Sequence, residues 1–108
     1  MSRIELQLVA ENSALFTKKF AVWLPDNFVV YDAFVDETFK LIERGFTHYS
    51  ARTILHYLRH HTAISQHSND GWKLNNDYSP YMARLFDLMH PHLSGLFEYR
   101  ETPAVFYR

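Results

Sequence analysis

Trp72-Lys73-Leu74-Asn75-Asn76-Asp77-Tyr78-Ser79-Pro80-Tyr81-Met82-Ala83-Arg84-Leu85-Phe86-Asp87-Leu88-Met89 is the stretch on which the fold reading turns. Ser79-Pro80 reads as a helix start: a hydroxyl that accepts from an orphan amide, then a proline at the first helical position, where its missing N–H costs nothing. From there Met82, Leu85, Phe86 and Met89 recur at the spacing of one helix face. The sequence thus predicts a helix over 80–90, showing Tyr81, Arg84, Asp87 and Leu88 outward and ending at His90-Pro91-His92. Upstream, Asn69-Asp70-Gly71 is a turn signal between a segment containing Ile64 and Trp72-Lys73-Leu74, which predicts two short strands joined as an antiparallel hairpin. Downstream, Gly95 makes a turn, and Phe97 and Tyr99 alternate with Glu98 and Arg100 as a strand over about 97–101.

Working back along the chain, Ser50 caps a helix over 51–61 whose apolar stripe is Ala51, Ile54, Leu55 and Leu58. The opposite face holds Arg52, His56, Arg59 and His60, with no acid among them. Before it, Asp26 or Asn27 opens a helix over roughly 27–44, with Phe28, Tyr31, Val35, Phe39 and Ile42 inward and Asp32, Asp36, Glu37, Lys40 and Glu43 in water. Gly45 supplies its stop. A short helix over 13–24, capped by Ser13, carries Phe16, Phe20, Trp23 and Leu24 and ends before Pro25. In 1–12, Ile4, Leu6 and Leu8 alternate with Glu5 and Gln7, the period of a strand. The tail 102–108 holds Pro103 and three large apolar residues and is expected to pack.

This order predicts a mainly α fold with a small β element (α+β): three to four helices plus a short antiparallel hairpin, in winged helix-turn-helix order. All 108 residues form one domain with its winged-helix-like core at 27–101, since a second domain would leave neither half a core. Hydrophobic residues at 47% and charged residues at 21% are ordinary for a globular chain, and aromatics at 17% against three glycines argue for a rigid, helix-rich core. The absence of cysteine excludes disulfides, thiol catalysis and Cys-ligated zinc. No apolar run is long enough for a membrane span and no leader pattern is visible, so a cytoplasmic protein without membrane contact is expected.

Charge is uneven. Residues 1–43 carry a net −3, whereas residues 44–108 carry +2 and all seven histidines. Imidazole titrates at about pH 6.5, so mild acidification makes the second half more positive and more receptive to an anionic partner. In a winged helix the helix after the turn enters the major groove. On that reading Tyr78, Ser79, Tyr81 and Arg84 approach DNA, Lys73 and Arg100 sit on the wing strands, and Arg52 lies at the start of the supporting helix. Asn75 and Asn76 either build an Asx-type turn or offer amides to base edges, and Tyr78 and Tyr81 either stack on a base or close the core. His56, Arg59 and His60 form a secondary basic face.

Phe28-Val29-Val30-Tyr31-Asp32-Ala33-Phe34, His48-Tyr49-Ser50-Ala51-Arg52 after Gly45, the run Trp72 to Arg84, and Gly95-Leu96-Phe97-Glu98-Tyr99-Arg100 together resemble a family of small bacteriophage and prophage proteins of no established activity. That family commonly shows a Y-S-A-R segment followed by K-[IL]-N-N-x-Y-S-x-x-Y-A-R. The resemblance covers roughly residues 20–100 and departs from the pattern at Leu24-Pro25-Asp26-Asn27. It implies a phage origin and a host-cell cytoplasmic setting, and it draws attention to Lys73, Asn75, Asn76, Tyr78, Tyr81 and Arg84.

Enzymatic chemistry is weakly written. His56 and His60 stand four apart, the spacing at which two imidazoles share an ion, with His90 or His92 as a third ligand; but no glutamate lies between them and no cysteine assists, so no metal or other cofactor is expected. Asp32 and Asp36 are what an exposed helix normally carries, and neither a Gly-rich phosphate loop nor a G-x-S-x-G motif is present. The sequence therefore supports two non-enzymatic functions. One is a regulatory DNA-binding protein acting alone or as a homodimer; the other is a module that inhibits or redirects a host protein through an aromatic surface.

Overall fold

The computed structural model describes residues 3–61 and 75–97. Among these the chain forms five α-helices: α1 (Ile4–Glu11), α2 (Lys18–Trp23), α3 (Phe28–Glu43), α4 (Ala51–His61) and α5 (Asn75–Met89). Short 3-10 turns cover Ser13–Leu15, Leu24–Asp26 and Pro91–Leu93. α5 is the hub: it packs along α4 most extensively and also against α1 and α3.

The fold is predominantly α, which overturns the α+β, winged-helix expectation: among the described residues there is no strand, only an isolated parallel bridge between Tyr49 and Phe97. The hairpin expected over 63–75 falls almost wholly outside the described residues, and its last residue, Asn75, is helical. The strand over 97–101 is described only at Phe97, and the tail 102–108 lies outside as well.

The N-terminal segment is helix α1, not a strand. Over five residues a period of two and a period of 3.6 cannot be told apart, and pairing decides between them. Glu5 turns inward with Val9, one helical turn on, because Arg3 neutralises its carboxylate at 2.9 Å. Arg3 also bridges to Asp32 of α3 through two hydrogen bonds of 2.8 and 3.0 Å, and its guanidinium lies 3.9 Å above the Phe28 ring. The hydrogen bonds to Asp32 and then Glu5 push the Arg3 pKa further up, so the guanidinium in this clamp of α1 on α3 stays protonated at every accessible pH.

The helix expected over 13–24 is broken. Ser13 opens a 3-10 turn, Phe16 is extended, and the N-cap of α2 is Thr17, whose hydroxyl accepts from the Phe20 amide at 3.1 Å. α3 and α4 match their expected spans. α3, however, is rotated: Val30, Tyr31, Phe34, Thr38 and Leu41 are buried, while Phe28, Val35, Phe39 and Ile42 pack at the margin. The hydroxyl of Thr38 is satisfied internally by donating to the Phe34 carbonyl at 2.7 Å. Gly45, at φ +94°, ends α3 in a Schellman motif, its amide on the Ile42 carbonyl at 2.9 Å and the Phe46 amide on Leu41 at 3.1 Å. The Ser50 cap of α4 holds, its Oγ 3.3 Å from the Thr53 amide.

The second large correction concerns α5. It begins at Asn75, so Ser79 is not its cap and Pro80 lies inside it. Proline there removes one main-chain hydrogen bond. Burial compensates, because Tyr78 and Ser79 are enclosed and the extra turn carries Tyr78 to within 4.6 Å of the Trp23 ring centre. Met82, Leu85 and Phe86 face inward as expected, joined by Ala83.

Leu58 is buried on the α4 stripe, so Leu58→Ala is expected to cost about 2–5 kcal/mol in chemical denaturation. Unchanged stability would place the α4 stripe at the surface. Tyr31 gives a second test. Its hydroxyl is buried with no hydrogen-bond partner among the described residues, and burial first, then the Glu5 and Asp32 carboxylates, raise its pKa above the ordinary value. The unfolded chain ionises this phenol at about pH 10 while the fold resists, so stability present below that pH is lost as pH rises past it. Tyr31→Phe should match or exceed wild-type stability at pH 7, since it removes an unsatisfied group, and should decline less between pH 9.5 and 11 in urea titrations.

Candidate functional site

The DNA-reading surface expected on the helix at 80–90 is not presented as one. Tyr78 is 2% exposed and lies edge-on to Phe20, 5.7 Å between ring centres. Ser79 is buried, and Tyr81 is half-buried against Phe16 and Phe20. Arg84 spends its guanidinium on the Leu15 carbonyl at 2.9 Å, tying α5 to the turn before α2. Asn75 and Asn76 lie in the first turn of α5 instead of closing a strand. Lys73 and Arg100 lie outside the described residues. The aromatic surplus thus goes mostly to the core rather than to an aromatic interface.

What the fold does expose is α4. Arg52, His56 and His60 form one exposed row at successive four-residue steps, Arg59 is half-buried beside them, and α4 contains no carboxylate at all. The His56 and His60 ring centres are 4.4 Å apart. Their neighbouring row, Thr53, Tyr57 and His61, borders an open groove of about 320 Å³ against the end of α3, lined also by Glu37, Arg44 and Tyr49. The groove contains one acid, Glu37, with the Lys40 ammonium 4.0 Å away.

Local structure sets each wall. The Schellman turn at Gly45 leaves Arg44 and Phe46 exposed, with Arg44 lining the groove. Tyr49 is anchored from behind by its amide on the Leu96 carbonyl at 2.8 Å and is met edge-on by Phe46. Tyr57, 43% exposed, stacks on His61 at 5.0 Å and 23°. Arg44, His56 and His61 and the Tyr49 and Tyr57 rings therefore line one open channel. Sequence reasoning found Arg52, His56, Arg59 and His60 but missed Arg44, Tyr49, Tyr57 and His61. The four-residue repeat of Tyr57 and His61 was a visible signal, whereas the approach of Arg44 depends on how α3 crosses α4.

A second groove, of about 440 Å³ and mainly apolar, runs between α1 and α2, lined by Leu6, Val9, Ala10, Phe16 and Ala21 with Lys18 at its rim. His90, named with His92 as a candidate third ligand in a metal site that is not expected from the sequence, is packed between the Phe39 and Phe86 rings. No group of three or more histidine or carboxylate side chains poised for a metal occurs among the described residues, and no helix there is long and apolar enough to cross a membrane. No protein-family model, curated protein or solved structure matches this chain.

Proposed function

We propose that the protein is a small non-enzymatic module that binds single-stranded nucleic acid along the groove between the end of α3 and the exposed face of α4. One observation carries this reading: an exposed tyrosine ring, Tyr57, lines one open channel with Arg44 and His56, and the α4 wall of that channel has no carboxylate. Binders of single strands combine a cationic track for phosphates with aromatic faces on which bases stack, and stacking is worth about 1–3 kcal/mol per base. Here Arg44 in the groove and Arg52 on the row beside it supply the permanent charges, the α4 histidines supply further donors, and Tyr57 with Tyr49 supplies the rings. The DNA-binding expectation is kept, but its surface moves from α5 to α4. A setting inside a phage-infected host, implied by the resemblance, offers such strands in abundance.

With two fixed cations the affinity is modest and steeply salt-dependent, log Kd changing by about 1.5 per tenfold change in salt for two phosphate contacts. Fluorescence anisotropy with a labelled oligonucleotide, single-stranded and then annealed, at low ionic strength tests it. Arg52→Ala should reduce the salt slope, Tyr57→Ala should weaken the single strand more than the duplex, and Arg84→Ala should leave affinity unchanged while lowering stability. Equal binding by wild type and a combined Arg52→Ala, Tyr57→Ala variant overturns the assignment, as does a clear preference for duplex.

A further inference from the structure

The row on α4 also has a geometry that nucleic-acid binding does not require. We infer that His56 and His60 together form a two-imidazole chelate for a late first-row divalent transition ion. The inference does not depend on the nucleic-acid reading, and the probe is the metal alone.

Metal–nitrogen bonds of about 2.0–2.1 Å to two imidazoles set roughly at a right angle place the ring centres about 4–5 Å apart. The His56 and His60 centres are 4.4 Å apart, with the rings tilted by 51°. They stand one helical turn apart on a helix of 11 residues that is capped by Ser50 and anchored by Ile54, Leu55 and Leu58, so the backbone that spaces them is held before any ion arrives. Both side chains are exposed, which removes the desolvation cost of bringing in a dication.

Two donors at a right angle suit the tetragonal preferences of Cu(II) and Ni(II), and nitrogen donors rank Cu(II) above both Ni(II) and Zn(II). Binding is bidentate, and the remaining coordination positions stay with water. Opposing it are Arg52, one turn before His56, and Arg59, adjacent to His60; both repel the incoming charge, and removing Arg52 should tighten the site. The other charged residues lining the groove with His56 are Glu37 of α3 and Arg44 just past its end, with His61 of α4.

The test uses the full chain with any affinity tag removed. Isothermal titration with CuCl2 and with NiCl2 measures affinity, and broadening of backbone amide signals by Cu(II) locates the ion. The expected result is a one-to-one site that broadens residues 52–61 first, with Cu(II) bound more tightly than Ni(II). His56→Gln or His60→Gln should each weaken it by on the order of 100-fold, because the second imidazole acts at high effective concentration. His61→Gln and His92→Gln should leave it intact, and Arg52→Ala should strengthen it. Circular dichroism of each variant confirms an unchanged helix content. Broadening centred on His48, His90 or His92, or single variants that bind as well as wild type, overturns the chelate.

Discussion

The burial of α5 between two aromatic clusters is the constraint on which the rest of this structure depends. Its N-terminal half presents Tyr78 and Tyr81 to Phe16, Phe20 and Trp23, and its C-terminal half presents Phe86 to Phe39 and Phe97, with Phe34 stacked on Phe97 behind. Aromatic rings bury large areas and favour tilted or edge-on contacts, so each cluster fixes an orientation as well as a distance. Once α5 is held at both ends, α4 lies along it through Ile54, Leu55 and Leu58, and the other side of α4 is left to solvent. The candidate site is a consequence: it is the face that the central helix does not use.

The acidic and basic halves of the chain are handled differently. On the acidic side, Asp32 and Glu5 are drawn into the Arg3 clamp, which converts two repelling carboxylates into a tie between α1 and α3. On the basic side α4 itself contains no carboxylate, and its polar side chains are arginine or histidine save Thr53 and Tyr57. A helix whose last turn carries Arg59, His60 and His61 is favoured by its own dipole, so this charge is partly a stability feature. The dipole does not account for Arg52 at the opposite end, nor for Arg44 on the neighbouring turn. Arg44 lines the groove, and Arg52 stands on the α4 row beside it.

The sequence by itself determined the elements whose signals are local. α3 and α4 were legible because their length spans several turns of a 3.6-residue period and because Gly45 and Ser50 are stop and start signals acting on their own backbone. The basic face of α4 was equally legible, since spacing alone puts Arg52, His56 and His60 in one row. The abundance of aromatics and scarcity of glycine pointed to the helix-rich fold that is seen.

Tertiary structure decided what local signals leave open. In α1 a five-residue alternation fits strand and helix alike, and the pairing of Arg3 with both Glu5 and Asp32 favours the helix. Ser79-Pro80 has the chemistry of a helix start, yet the burial of Tyr78 against Trp23 draws the helix back to Asn75 and leaves the proline inside. That same burial moved the expected binding residues Tyr78, Ser79 and Tyr81 into or against the core, and gave Arg84 a carbonyl to hold. Long-range packing energy outweighs one lost main-chain hydrogen bond, and no window of sequence contains the partner that supplies it. The groove beside α4 is of the same kind, because Arg44 and Tyr57 are thirteen residues apart and meet only where α3 crosses α4.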